Sequence, residues 1–273
     1  MDKDVSVVIG VGGMGLAIGR RIGSGYRILL ADYSETTLKI AADTLRADGH
    51  EVSTRTVDVG DPDSVAALAD TAGELGRVVR VVHTAGLSPQ QASAADVLRV
   101  DLFGVALVLE EFERVLAPGA AGVVIASMAG HLNPEPLPGD QVRALASTPA
   151  RELARLPFLS AESITEPGLA YALAKRANII RVEAAARRWG ERGARVNSIS
   201  PGVISTAMGQ QELSGPSGDG MRAMVSMSGT GRLGTPDDIA AAAAFLLDSA
   251  SNFVTGTDLL VDGGVVAAIR HQG

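Results

Sequence analysis

Cysteine is absent from the chain. That removes disulfides, thiolate metal sites and cysteine nucleophiles in one step, and it suits a reducing compartment. No metal site is expected. A basic surplus is missing too: 24 Lys and Arg stand against 31 Asp and Glu, a formal net charge of −7. Nucleic acids and anionic membranes both need a basic face, so neither is an expected partner. Long apolar runs are also lacking. The longest aliphatic stretches, such as "IAAAAAFLL" at 239–247, fall well short of the ~20 residues that span a membrane. The opening "MDKDVSVVIG" has no basic segment leading into an apolar one, so no signal peptide is read there and a cytoplasmic location is expected. Tyrosine is scarce, with only Tyr26, Tyr33 and Tyr171, so the setting of each carries weight.

Against these absences stand short β-branched runs alternating with helical patterns. Strands are expected at 5–10, 27–32, 52–59, 78–86, 122–127, 194–200 and 258–264. Between them, "SETTLKIAADTLRADG" offers Ser34 as a helix cap and Gly49 as a stop. "DPDSVAALADTAGELG" sets Pro62 in a first turn and Gly76 past the last. Strands nearly continuous in Val, Ile and Leu, with a helix between each pair, predict a parallel sheet covered on both faces. The 273 residues fit one α/β domain, 1–273, with no internal repeat. One segment breaks the rhythm. Residues 131–168 hold six of the twelve prolines, and so long a connection is functional or carries short helices of its own. "STPAREL" supports the helices, with Ser147 or Thr148 as cap and Pro149 in a first helical position. The segment reads as an insertion, because core pattern resumes on both sides.

"GVGGMG" at 10–15 fits G-x-G-x-x-G, with glycines at 10, 12 and 15, after a strand and opening a helix. Glycine there lets the backbone turn tightly and approach a pyrophosphate that faces the helix N-terminus. A turn that is glycine-rich for packing alone would look the same. Asp32 ends the second strand, where an acid accepts hydrogen bonds from adenosine ribose hydroxyls or simply caps the next turn. Its charge would repel a 2′-phosphate, and no Arg or Lys in the glycine loop or in "DYSET" offsets it. NAD(H) is therefore favoured over NADP(H). Enzymes that use S-adenosylmethionine share both features, which by themselves leave the cofactor open.

"YALAK" at 171–175 places Tyr171 and Lys175 one turn apart on one helix face. An ammonium there favours the phenolate and would make Tyr171 a usable proton donor or acceptor. Taken alone, the pair favours the plainer reading, a half-buried tyrosine beside a solvated lysine.

With these motifs together, the chain resembles the short-chain dehydrogenase/reductase family over nearly its whole length. Tyr171 and Lys175 match the family's Y-x-x-x-K, and "VVIASMAG" (123–130) looks like its strand with the catalytic serine, which puts that role on Ser127. "HTAG" (83–86) resembles the N-N-A-G turn after strand four, with Thr84, Ala85 and Gly86 at the cofactor. "VNSISPGVIST" (196–206) resembles the N-x-x-x-P-G stretch, with Pro201, Gly202, Val203, Ile204 and Thr206 beside the nicotinamide. Asp58 and Val59 fall where the adenine is met. Gly10, Gly12, Gly13, Met14, Gly15, Asp32 and Tyr33 fall where pyrophosphate and ribose are held. "GRLGTPDDIAAAAAFLLDSASNFVTGTDLLVDGG" resembles the closing helix and strand throughout. The resemblance implies a Rossmann-type doubly wound sheet of seven parallel strands in three α/β/α layers. It also implies hydride exchange between nicotinamide and a carbon bearing a hydroxyl or carbonyl. Tyr171 would pass the proton, Lys175 would lower its pKa and bind the nicotinamide ribose, and Ser127 would hydrogen-bond the substrate oxygen.

The departures define further expectations. The glycine loop is one residue shorter than the family's T-G-x-x-x-G-x-G. Asp101, in "RVDLFG", stands where the family has the asparagine of a proton relay; a role through the backbone carbonyl survives that change, and a role through an amide does not. His83 replaces the first asparagine of its turn, and a lone histidine at a strand end is more often structural than an acid or base. The 131–168 insertion separates Ser127 from Tyr171 and leaves the end of strand five, so it is expected to reach over the ligand crevice. Residues 207–232, with Met208, Met221, Met224 and Met227, either line a pocket for an apolar substrate or fill the core of an amphipathic helix. The expected partner is a small alcohol or carbonyl compound, apolar or steroid-like. The resemblance implies a homotetramer or homodimer, built through the fourth and fifth helices and the last strand. Two accounts compete: an NAD-dependent oxidoreductase, and a nucleotide-binding regulatory protein of the same fold that has lost turnover. A methyltransferase would need neither Y-x-x-x-K nor P-G-x-x-x-T.

Overall fold

Val5–Ile9 is buried at all five positions, which a strand permits only when both faces of its sheet are covered. This strand, β1, pairs in parallel with Arg27–Asp32 (β2) on one side and Val78–His83 (β4) on the other. Glu51–Thr56 (β3), Leu116–Ile125 (β5), Arg195–Pro201 (β6) and Asp258–Val261 (β7) complete one parallel sheet in the order β3-β2-β1-β4-β5-β6-β7. The computed structural model describes residues 4–132, 136–160 and 162–271. Each expected strand is present within a few residues. β5 is the exception at its start: it begins at Leu116, because the chain bulges around Pro118 and Gly119, where φ is 85° and the register to β4 shifts.

The connections carry α1 (Gly13–Ile22), α2 (Glu35–Ala47), α3 (Pro62–Leu75), α4 (Ala94–Val97), α5 (Val105–Glu113), α6 (Gly139–Ser147), α7 (Pro167–Glu191), α8 (Ala207–Ser214), α9 (Gly218–Met227), α10 (Pro236–Leu247) and α11 (Val265–Arg270). Ser34 caps α2 by accepting the Thr37 N–H, and Pro62 opens α3 behind the Asp61 cap, as their sequence positions lead one to expect. α1, α2 and α10 bury Ile18, Leu45 and Ile239 on one face of the sheet. α3, α5 and α7 bury Leu68, Phe112 and Trp189 on the other. Between α4 and α5 the helix widens into a π-turn at Leu98–Gly104, with Asp101 inside it. No helix among the described residues is long and apolar enough to cross a membrane.

Among its described residues the 131–168 segment holds α6 and two 3₁₀ turns, Ala150–Arg155 and Pro157–Leu159. Ser147 closes α6 by donating to the Arg143 carbonyl, and Pro149 precedes the following turn without opening it. Leu145 and Leu159 pack on α4 and α7. Buried Arg181 of α7 ties the segment down, donating to the Leu145 and Thr148 carbonyls and to Glu110 of α5 at 2.6 Å. Its described residues thus lie along the flank of α7. The same arrangement lets Ser127 and Tyr171 meet although the segment separates them in sequence.

Candidate active site

β1 and β4 are neighbours whose connections leave in opposite directions, and a crevice opens at such a switch point beyond the strand ends. Here it forms two joined cavities, of about 500 Å³ and about 220 Å³. The larger lies over the glycine loop. Gly10 sits at φ 86°, and any Cβ there would collide with the backbone of Ala85. A Cβ on Gly15 would run into the Gly10 carbonyl, so this glycine sets the close approach of α1 to the strand. Gly12 differs: a Cβ built on it meets nothing within 4 Å. It N-caps α1 with no side-chain acceptor, leaving the first amides of the helix open to an anion. The shorter loop therefore keeps a cradle that fits a pyrophosphate.

Asp32 lines the same cavity. Its Oδ2 accepts the Val11 N–H at 2.8 Å and its Oδ1 accepts the Ser34 N–H at 2.9 Å. It therefore fastens the glycine loop and the next turn at once. A carboxylate has about four acceptor sites, so capacity remains for ribose hydroxyls. Asp58 stands farther along, paired through both oxygens at 2.9 Å with Arg99. The sequence reading missed Arg99, which lies two positions before Asp101 on the π-turn and also lines the cavity. Among the described residues, Arg99 and Lys175 are the cations lining the two cavities, and each is engaged by a carboxylate.

The smaller cavity gathers Ser127, Tyr171, Lys175 and Asp101 with Pro201, Gly202, Val203, Ile204 and Thr206. Tyr171 and Lys175 come from the first turns of α7. Ser127 N-caps the Met128–His131 turn, its hydroxyl accepting the Ala129 N–H at 3.2 Å. That turn rests directly on α7: a Cβ on Gly130 would lie 2.9 Å from Arg176 N. A second strap was not foreseen. His131 Nε2 contacts Asp258 Oδ2 at 2.8 Å and Ser200 Oγ at 3.2 Å, joining the Ser127 turn to β6 and β7. Histidine at the end of an apolar strand-to-turn run, with an aspartate opening a later strand, gives no sequence signal for such a contact.

Asp101 is fully buried and faces Lys175, with Oδ2 2.9 Å from Nζ, while its Oδ1 accepts the Leu87 N–H at 2.7 Å. Gly86 makes room: a Cβ there would lie 3.0 Å from Asp101 Oδ2. Burial alone would pull the Lys175 ammonium down, but Asp101, and after it Tyr171, push it above its ordinary range. For Tyr171, burial pushes the phenol up; Lys175 pulls it down, Asp101 adds to the rise, a hydrogen bond from Ser127 opposes it, and Glu212 of α8 raises it again. The net shift is upward, so the expected lowering by Lys175 is present but outweighed. His83 lies in the core and neither ring nitrogen has a hydrogen-bond partner among the described residues. Burial and then the Lys175 charge hold its pKa down to about 3, which keeps it neutral.

Sequence comparison agrees with this layout. The family described as short chain dehydrogenase matches residues 3–137, and that described as enoyl-(acyl carrier protein) reductase matches 142–266. A short-chain dehydrogenase/reductase of Alternaria brassicicola, bsc3, is 39% identical over 272 residues, covering 100% of this chain and 99% of that protein. The chain belongs to the short-chain dehydrogenase/reductase family. Other relatives include D-threitol dehydrogenase of Mycolicibacterium smegmatis, 31% identical over 97% of this chain and 93% of its own. The 3-alpha-hydroxysteroid dehydrogenase/carbonyl reductase of Comamonas testosteroni is 31% identical over 83% and 91%. Among solved structures, a dehydrogenase/reductase from Sinorhizobium meliloti aligns with TM-score 0.76 at 22% identity, covering 97% and 96% of the two chains. An actinorhodin polyketide ketoreductase with NADPH aligns at 0.75 and 24%, covering 97% and 98%. This family member is an oxidoreductase that uses a nicotinamide cofactor.

Proposed function

We propose that this short-chain dehydrogenase/reductase uses NAD(H) in preference to NADP(H) to interconvert a secondary alcohol and its ketone, with Tyr171 as the proton-transfer group. The observation that carries the reading is the convergence of Ser127, Tyr171 and Lys175 on one cavity that opens into the glycine-loop cavity. When bound, the cofactor supplies the hydride chemistry. Gly10 to Gly15 and the amides opening α1 would hold its pyrophosphate, and Asp32 its adenosine ribose. The Tyr171 hydroxyl gives up a proton to the substrate oxygen in reduction and takes one in oxidation. Its raised pKa keeps it protonated at neutral pH in the free protein, the form that reduction needs. Ser127 donates a hydrogen bond where charge develops on the substrate oxygen. Lys175 supplies positive charge beside the phenol and binds the nicotinamide ribose; Asp101 holds that ammonium in place.

The carboxylate of Asp32 favours NAD(H) because both cavity cations are already paired with carboxylates, so neither is free for a 2′-phosphate. Met14, Met128, Met208 and Met221 line the chemical end, which suits an apolar carbon skeleton. A cytoplasmic homodimer or homotetramer belongs to the same reading, and it is supported by β7, an outer strand half-buried at all four residues. A second reading rests on one contact. Lys175 is so firmly engaged by Asp101 that ribose binding has to share its ammonium, and a regulatory protein without turnover would tolerate that. Titrating NADH and NADPH into wild type and Asp32→Ala tests the cofactor assignment. Tighter NADH binding by wild type, with NADPH gaining only in the variant, supports it; equal affinities in wild type overturn it.

A further inference from the structure

One carboxylate in the chemical cavity has no place in the mechanism above. Glu212 projects from α8 and lines the cavity with Ser127 and Tyr171. Its Oε1 accepts the hydroxyl of buried Ser88 at 2.6 Å. Its Oε2 accepts no hydrogen bond among the described residues, and no Lys or Arg among them pairs with Glu212. The other charges in the cavity, Asp101 and Lys175, offset each other. A carboxylate left half-buried without a counter-ion carries a desolvation cost unless something donates to it. Solvent supplies that donor while the cavity is open, but a bound substrate displaces the solvent.

The carboxylate is also held in place. Ser88 fixes one oxygen, and the 88–91 turn is tied once more to α8, at Gln211, and once to the residue that caps α9, Ser217. Gln90 Nε2 donates to Ser217 Oγ at 2.9 Å, and Gln91 Nε2 donates to Gln211 Oε1. The turn is in turn anchored to Asp101 through the Leu87 N–H. Glu212 thus has a defined position relative to the proton-transfer group, close enough for its charge to act on Tyr171. A fixed, singly satisfied acceptor across a cavity from the reacting atoms selects for a ligand with a donor at the matching distance.

We infer that Glu212 is a specificity-determining residue: it accepts a hydrogen bond from a second donor group on the substrate, a hydroxyl or an ammonium, and repels substrates that carry an anion there. The substrate class is narrowed to alcohols or ketones with an apolar skeleton near the reacting carbon and a polar, uncharged or cationic group beyond it. The inference rests on the oxidoreductase reading of the cavity.

The test uses four compounds on one ring: cyclohexanol, a cyclohexanediol, an aminocyclohexanol and a hydroxycyclohexanecarboxylate. Each is read twice on wild type and Glu212→Gln, as NAD-linked turnover and as the change it causes in the fluorescence of protein-bound NADH. Wild type is expected to favour the diol or the amino alcohol over cyclohexanol, and to take the carboxylate least. In Glu212→Gln the preference over cyclohexanol shrinks about ten- to hundredfold, the size of one hydrogen bond to a charged group, mainly through KM, and the carboxylate improves. The diol and amino alcohol arms separate the two donors. A preference that is the same in both proteins, or a wild type that favours the carboxylate, overturns the inference. NADH titration of the same samples reports separately on the underlying reading: wild type that binds no NADH overturns that reading.

Discussion

His83 shows how far one side chain can be read from its surroundings. Its imidazole is buried with no hydrogen-bond partner for either ring nitrogen among the described residues, the Lys175 charge is nearby, and its pKa is held down to about 3. The native protein therefore leaves it neutral while the unfolded chain takes up a proton below pH ~6.5. Where the unfolded state binds more protons, acid favours unfolding. His83 thus costs stability progressively as pH falls from ~6.5 towards about 3. Removing the titration by His83→Asn should flatten the acid limb of the stability curve. At pH 4.5 the expected gain over wild type, relative to the difference between them at pH 7, is on the order of 2–3 kcal/mol. Urea unfolding at the two pH values measures it, and parallel curves would contradict the account. Sequence alone offered His83 as structural or as an acid/base, and burial decides between them. Asp101 was harder. Its position was legible from the resemblance, but the direct ion pair with Lys175 depends on a π-turn that helix periodicity does not reveal.

At the scale of elements, the glycine loop, α7 and the strands were legible because each leaves a local trace: glycines at fixed spacing, a tyrosine and lysine one turn apart, continuous β-branched runs. The course of the 131–168 segment was not. Its prolines mark a departure from the sheet rhythm, but its route along α7 is set by long-range contacts. Arg181 is the main one, buried and bonded to Glu110 and to two carbonyls of the segment, while Glu110 also accepts the Ala150 N–H. Arg181→Met would take the donor from both carbonyls and leave the Glu110 carboxylate with the Ala150 N–H and the more distant Arg188. Breaking a buried pair from one side typically costs 3–5 kcal/mol; because Glu110 keeps some solvent contact, a loss of about 2–4 kcal/mol is expected. Thermal or urea unfolding checks this, and hydrogen exchange should show faster opening of 139–155 than of β1. A variant as stable as wild type would mean that the segment is held by its leucines alone.

The whole molecule sets the glycine loop and the cluster of Ser127, Tyr171 and Lys175 in two joined cavities, with Pro89 and Glu212 lining the second. The sheet order makes this possible, because the connections that leave the neighbours β1 and β4 diverge there and β5, β6 and α7 bring Ser127, Pro201 and Tyr171 to the same rim. The central claim is that Tyr171 moves the proton in a nicotinamide-dependent oxidation and reduction. It is tested most directly by comparing wild type with Tyr171→Phe across a panel of polyols, secondary alcohols and hydroxysteroids, following nicotinamide absorbance, with NADH affinity measured on both. The account predicts that wild type turns over at least one compound, and that the phenylalanine variant loses about 10²–10⁴-fold in kcat, the usual worth of a general acid or base, while binding NADH within about twofold. A variant that turns over as fast as wild type, or a wild type that binds NADH and acts on nothing in the panel, would contradict it.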